Sequence, residues 1–223
     1  EQAAARYGPL PTLQGADRPG IVHRLDAATS GVMVLCRSER AFASLMQQFR
    51  DRAVVKTYLA LVWGVPRFET GWIETPIGRS ERDPSRFAVV PAGTGLPAST
   101  YWEAAERFDG LALLRCFPKT GRTHQIRVHL AHVRHPIVGD PAYGGRLIVP
   151  AGASEQLTLA LRGFRRQALH AQRIAFTHPR TGAVLDLRAP LPEDFRALLA
   201  ALAGSAAAVA RLEALPWPAQ APG

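Results

Sequence analysis

The sequence predicts an α+β protein built on a largely antiparallel sheet with a few helices. Three observations carry that prediction. Runs rich in strand formers recur along the chain, glycine- and proline-bearing turns join neighbouring runs as hairpins, and only a few segments place apolar residues at helical spacing. With 223 residues and 47% hydrophobic content, the chain can bury a substantial core as one domain. That domain is expected over residues 1–203, with 204–223 as a loose tail rich in alanine and proline.

The first twenty residues hold Gly8-Pro9, Pro11, Gly15 and Pro19-Gly20, too many breakers for a long regular element. Val32-Met33-Val34-Leu35-Cys36 reads as a buried strand. Ser38 can cap the helix that follows, with Glu39 in its first turn and Phe42, Leu45, Met46 and Phe49 on one face, ending near Arg50 and Arg52. The run from Val54 to Trp63 is rich in strand formers and stops at Gly64 and Pro66, which predicts a central strand.

Shorter strands are expected near 72–77 and 86–91, around the polar loop Arg79-Ser80-Glu81-Arg82-Asp83-Pro84. Asp109-Gly110 joins strands near 98–107 and 110–117 as a hairpin. Ile126, Leu130 and Val133 recur at helical spacing, in a helix entered through Gly121 and stopped by Pro136. Residues 154–163 leave a helical insertion open. A second hairpin joins Ala168–Thr177 to Ala183–Arg188 across Pro179-Arg180-Thr181-Gly182, and Pro192-Glu193-Asp194 opens a last helix with proline at its first position.

Twenty-seven Lys and Arg against 18 Asp and Glu give a formal charge of +9, and all of those cations but Lys56 and Lys119 are arginine. Arginine suits bidentate phosphate contact and stacking on bases, so a polyanion is the expected partner. Cys36 and Cys116 both lie in apolar runs far apart in sequence, as free buried thiols of a reducing compartment would. No apolar leader and no apolar span of about 18 residues is present, so a cytoplasmic protein without a membrane segment is expected.

The stretch with most chemistry is His23-Arg24-Leu25-Asp26-Ala27-Ala28-Thr29-Ser30-Gly31. In extended backbone Arg24 and Asp26 project from one face, and Thr29-Ser30-Gly31 can tie up backbone groups locally. Arg127 on the later helix is a second cation for Asp26, and a carboxylate between cations suits a nucleophile better than a general acid. Glycoside hydrolysis normally needs a partner acid, and neither Asp17 nor Asp140 is tied to Asp26 by spacing. A leaving group that needs no protonation fits better, and uracil is one because its anion is delocalised over the imide.

His124, His129, His132 and His135 raise the question of a metal. Their separations of five and three residues give no tight two-ligand helix face, so none is expected. Ser30 lacks the flanking glycines of a nucleophile elbow. Basic and polar groups on a helix fed by Gly121 read instead as contacts to phosphate, sugar and base. Tyr58, on a strand facing a cleft, could stack on a flipped base and move a proton.

His23-Arg24-Leu25-Asp26 with Thr29-Ser30-Gly31, Lys56-Thr57-Tyr58-Leu59-Ala60, Thr120 to His129 with His135-Pro136-Ile137-Val138-Gly139-Asp140, and Leu169-His170-Ala171 with His178-Pro179 together resemble the RluA-type RNA pseudouridine synthases. The resemblance spans residues 19–192. It implies the pseudouridine synthase fold: a mixed, mainly antiparallel sheet with the catalytic cleft across its middle, and no cofactor or metal. By the same resemblance Asp26 is the nucleophilic aspartate, Tyr58 the tyrosine stacked on the target base, and Arg127 the basic residue paired with the aspartate. Arg24 fills the space left by the flipped base, and with Lys56, Lys119, Arg122, His124 and Gln125 it makes up the expected RNA-binding set.

The implied activity is isomerisation of uridine to pseudouridine in structured RNA, by a monomer. The Gly139-Asp140-Pro141 and Tyr143-Gly144 loop most resembles the ribosomal-RNA members, with transfer RNA as the alternative substrate and a non-catalytic RNA-binding relative as the alternative class. Family members usually begin with a strand and a Lys-Pro-x-Gly segment ahead of the aspartate motif, and often carry a small RNA-binding module before it. This sequence starts beyond both, so a sheet without its usual first strand and with an open edge is expected.

Overall fold

The computed structural model describes residues 2–13 and 15–214. Its centre is a pair of strands that hardly meet solvent. β2 (Val55–Trp63) and β7 (Leu111–Pro118) bury nearly every side chain from Leu59 to Trp63 and from Leu111 to Pro118. Both read as continuous runs of strand formers, as strands covered on both faces must. β6 (Ser99–Phe108) joins β7 through the Asp109-Gly110 turn, and β3 (Thr70–Glu74) closes that side of the sheet. On the other side β8 (Leu169–Thr177) pairs with β2, and β9 (Val184–Arg188) returns along β8.

The two-residue strand β1 (Ser30–Gly31) lies parallel to β8 at His170 and Ala171, and every other pairing in the sheet is antiparallel. That single parallel contact makes the sheet mixed. β4 (Ile77–Arg79) and β5 (Phe87–Val89) form a separate small hairpin.

Helices cover the sheet. A short α1 (Gln2–Tyr7) precedes Gly8. α2 (Glu39–Arg50) is capped by Ser38, whose hydroxyl accepts from the Ala41 N–H, and it lays Phe42 and Leu45 against Ile174 and Phe176 of β8. α3 (Gln125–His132) is buried over its first six residues, Gln125 to Leu130. α4 (Glu155–Gly163), capped by Ser154, settles 154–163 as helical. α5 (Glu193–Ala203) adds Phe195, Leu198 and Leu199 to the main core beside Leu59, Leu61 and Leu113. Among the described residues no single helix is long and apolar enough to cross a membrane.

Several expectations need correction. Val32–Cys36 is no ladder strand. Beyond Gly31 its backbone is satisfied piecemeal, the Val32 N–H by the Ala171 carbonyl, Val34 by the His23 ring and Cys36 by the Gly20 carbonyl. Met33 consequently stays exposed. Pro192 is the extended N-cap of α5 rather than its first helical residue. The expected loose tail contains α6 (Ala206–Ala214), which turns back at Gly204 and buries Val209 and Leu212 in the main core. Its alanines hide the two apolar anchors that hold it. Residues 215–223 lie outside the described residues.

Both cysteines are free and buried, and burial pushes the Cys36 thiol up to about 11 and Cys116 higher, so neither is a ready nucleophile. If α6 is part of the core, Leu212→Ala will cost about 2 kcal/mol, the low end for a buried leucine because its rim is wet. Urea denaturation checks this, and an unchanged midpoint would return the segment to the status of a tail.

Candidate active site

Asp26 is presented by a turn that distant residues hold. The Thr29 N–H donates to the Asp26 carbonyl at 2.9 Å, and Ala28 takes a left-handed φ of 65°. The buried Gln167 amide donates to the Ala27 carbonyl at 2.7 Å and to the Thr29 hydroxyl at 2.9 Å. Arg166, clamped by both oxygens of Asp194 at 2.6 and 2.8 Å, donates to the Ala28 carbonyl at 3.2 Å.

The Thr29-Ser30-Gly31 segment bonds locally through the Thr29 N–H, and its further partners come from β8 and the residues just before it. The Ser30 hydroxyl donates to His170 Nδ1 at 2.9 Å, while His170 Nε2–H donates to the Ala189 carbonyl. Burial lowers the His170 pKa and favours this neutral form. Gly31 has a φ of 128°, and a Cβ there would stand 2.2 Å from the Ala171 oxygen, so only glycine allows β1 to approach β8.

Arg127 lies opposite, on α3 between Ile126 and Val128, with its side chain 6% exposed. Such a charge needs a partner. Asp140, fully buried, accepts from Arg127 Nε at 2.7 Å and from Nη2 at 2.9 Å, and its Oδ1 also accepts from the Ala142 and Tyr143 N–H groups. Burial alone would raise the Asp140 pKa, but the bonds and charge of Arg127 with those two N–H groups outweigh it and hold the carboxyl below its ordinary value. Arg127 Nη1 is then left to donate to Asp26 Oδ2 at 3.3 Å. Tyr143 lies beneath the guanidinium, its ring centroid 5.0 Å away.

Tyr58 and Lys56 are two apart on β2 and line the same cleft as Asp26, a recess of about 570 Å3. Between Thr57 and Tyr58 the pairing with β8 slips by one residue, because Gln172 is bulged out, and such bulges re-aim neighbouring side chains. Burial, and then the charge of Asp26, raise the Tyr58 pKa, so the phenol stays protonated. Burial lowers Lys56 to about 8, and its ammonium donates to the Thr120 carbonyl at 3.2 Å. Burial and the Lys56 charge bring His23 down to about 4, and its Nε2 accepts from the Val34 N–H while the ring stacks on Phe49.

Of the expected RNA-binding set, Arg24, Lys56, Lys119 and Arg122 line the cleft. Lys119 Nζ stands 5.8 Å from the Trp72 ring centroid, and Arg122 Nε donates to the Pro97 carbonyl at the rim. The other two are placed differently. Gln125 touches the cleft wall, but its amide is spent internally, donating to the Ser99 carbonyl and Thr100 hydroxyl and accepting from the Thr120 hydroxyl and the Arg122 N–H. His124 is outside the cleft lining. It enters α3 at a φ of 55°, its Nδ1 takes the Tyr143 hydroxyl at 2.9 Å, and its ring edges Phe87.

Both ring nitrogens of His129 are likewise occupied, by Thr100 and the Thr75 carbonyl. Among the described residues no group of three or more His, Cys, Asp or Glu is placed to hold a metal ion. Sequence reasoning missed Gln167, Arg166, Asp194 and Tyr143, and set Asp140 aside. One signal for Asp140 was there: an arginine flanked by apolar neighbours on an apolar helix requires a carboxylate from elsewhere.

The sheet thus sets Asp26 and Tyr58 in one recess, with Arg127 reaching Asp26 from the helix beside it. A family model described as RNA pseudouridylate synthase matches residues 6–132, more than half of the chain, and the chain belongs to that family. It is 46% identical over 202 residues to the ribosomal large subunit pseudouridine synthase D of Xanthomonas campestris, covering 91% of this chain and 60% of that relative. It is 47% identical over 195 residues to an uncharacterized RNA pseudouridine synthase of Chloroflexus aurantiacus, covering 87% of this chain and 57% of that relative. The chain therefore spans about three-fifths of the length of these curated relatives. Among solved structures it resembles human RNA pseudouridylate synthase domain containing 4, with a TM-score of 0.68 and 29% identity over 86% of this chain and 80% of that one.

The buried histidines set a pH dependence. Burial lowers His129, like His23, to about 4, against about 6.5 in an unfolded chain. Between those values the unfolded state binds more protons, so the stability these groups contribute is complete above pH 6.5 and is lost as pH falls toward 4. Urea midpoints should drop steadily from pH 7 to pH 4.5, and a flat profile over that range would contradict the buried neutral rings.

Proposed function

We propose that this chain isomerises uridine to pseudouridine in structured RNA, with large-subunit ribosomal RNA as the substrate class in preference to transfer RNA. One observation carries the reading: Asp26 faces a cleft of nucleotide size, bonded to an arginine that a second, buried carboxylate pins in place. The substrate class follows the names of the relatives at 42–47% identity, which are ribosomal large subunit enzymes in the main.

A uridine turned out of its stack enters beside Tyr58, whose ring packs on the base. Asp26 acts on the ribose, by attack at C1′ or by taking a ribose proton, and the N1–C1′ bond breaks with its electron pair leaving on uracil. The delocalised uracil anion needs no general acid, which fits a cleft whose lining includes one carboxylate. The ring turns within the recess and C5 joins C1′. As it does so, the Asp26–C1′ bond breaks with its electron pair returning to the carboxylate, or the abstracted proton goes back to the ribose. C5 then loses its proton and N1 takes one up. Arg127 keeps Asp26 aimed through these steps, and Arg24, Lys56, Lys119 and Arg122 neutralise RNA phosphates at the mouth. We take the protein to work as a cytoplasmic monomer, a setting that suits its two buried free thiols.

Tritium release from ribosomal RNA labelled at uridine C5, taken from a strain lacking this protein, tests the proposal. Wild-type protein should release tritium. Asp26→Asn should release none while binding the RNA within about tenfold, roughly 1.4 kcal/mol, of wild type. Release by the Asn variant would remove Asp26 from the reaction, and a folded wild-type protein that binds RNA without release would favour the non-catalytic class.

A further inference from the structure

The loop that carries Asp140 faces a recess of its own. Away from the uridine cleft it walls a smaller recess of about 270 Å3, floored by Trp63 and Phe164 and rimmed by Arg146, Arg162 and Arg165. All three arginines are exposed, and among the described residues no ion pair or hydrogen bond engages their side chains. Arg166, one residue on, makes the contrast, since Asp194 holds it bidentately. The carboxylate of the recess, Asp140, is fully buried and committed to Arg127, so it neutralises none of the three.

Arg162 lies in the last turn of α4, where a cation also suits the helix dipole. Arg146 and Arg165 sit in loops, where no helix end calls for one. Three unneutralised guanidinium groups around one concavity repel each other, and an anion relieves that repulsion. Each planar fork matches the oxygens of a phosphate. Leu147 and Ile148, exposed at the same loop, offer apolar surface of the kind a ribose can cover.

We propose that this recess is a second RNA contact, taking phosphodiester groups of the strand that flanks the target uridine through Arg146, Arg162 and Arg165. The inference rests on the reading of the chain as an RNA-modifying enzyme and adds to it a surface outside the uridine cleft. Asp140 of this recess bonds Arg127, which in turn bonds Asp26 of the uridine cleft, so the two recesses lie two side chains apart and one polyanion can reach both. The site grips backbone rather than bases, so it sets affinity and register while the cleft performs the chemistry.

The test compares Arg146→Gln/Arg162→Gln/Arg165→Gln with a control that loses the same charge elsewhere, Arg40→Gln/Arg180→Gln/Arg211→Gln, whose positions line neither recess. Binding to a protein-free ribosomal RNA fragment is measured from about 50 to 200 mM salt, with single-turnover tritium release at saturating RNA. The recess variant should bind at least tenfold more weakly and lose about two units of salt slope, with an unchanged rate once RNA saturates. The control should lose far less of either. Equal losses in the two variants would overturn the proposal, since bulk charge would then explain both. A loss seen only on ribosomal particles and not on protein-free RNA would also overturn it, and would point to an acidic protein. A wild-type protein that binds RNA but releases no tritium would sink the enzymatic reading alone, because the binding comparison still decides the recess.

Discussion

The buried pair of Arg127 and Asp140 is the interaction on which the rest of the site depends. A guanidinium placed on a helix between Ile126 and Val128 would be prohibitively costly without a partner in reach. Asp140 supplies two of its hydrogen bonds, and the loop N–H groups of Ala142 and Tyr143 fix Asp140 in turn. A pair like this adds little net stability over an apolar core, and its value is geometric. It leaves Nη1 with a single direction in which to donate, and Asp26 is there.

β8 and the residues just before it supply the opposite constraint. Gln167 and Arg166 hold the Asp26 turn, His170 takes the Ser30 hydroxyl, and Ala171 meets the bare backbone of Gly31. At Gln172 the strand bulges, so that its register with β2 shifts where Tyr58 stands. The carboxylate therefore belongs to a loop in sequence but to the sheet in rigidity. Without an internal ligand for its turn, Asp26 would sample many positions, and misplacement of about 1 Å can cost on the order of a hundredfold in rate.

Much of this was legible in the sequence where local rules suffice. The Ser38 cap with its apolar face gave α2, Asp109-Gly110 gave the β6–β7 hairpin, and the turn at Pro179–Gly182 gave β8–β9. Asp26, Tyr58 and Arg127 could be read from motif chemistry, and the fold brings all three to one cleft or its wall. What escaped depends on pairing between distant segments. Val32–Cys36 has the composition of a strand, yet Gly31 diverts its backbone and leaves it no continuous partner. α6 is anchored by just Val209 and Leu212 within an alanine run, too sparse a pattern to separate from a tail. Gln125 has the chemistry of an RNA contact, and the burial that turns it into a core bracket is set by Ser99, Thr100 and Thr120 on other segments.

The central claim is that Asp140, through Arg127, aims Asp26. Asp140→Asn keeps the size of the side chain and removes the charge that pins the guanidinium, so single-turnover conversion of uridine on saturating RNA is the most direct measurement. With folding verified by thermal denaturation, the account predicts a rate lowered on the order of a hundredfold and an RNA affinity close to wild type. A folded Asn variant that converts uridine at the wild-type rate would contradict it.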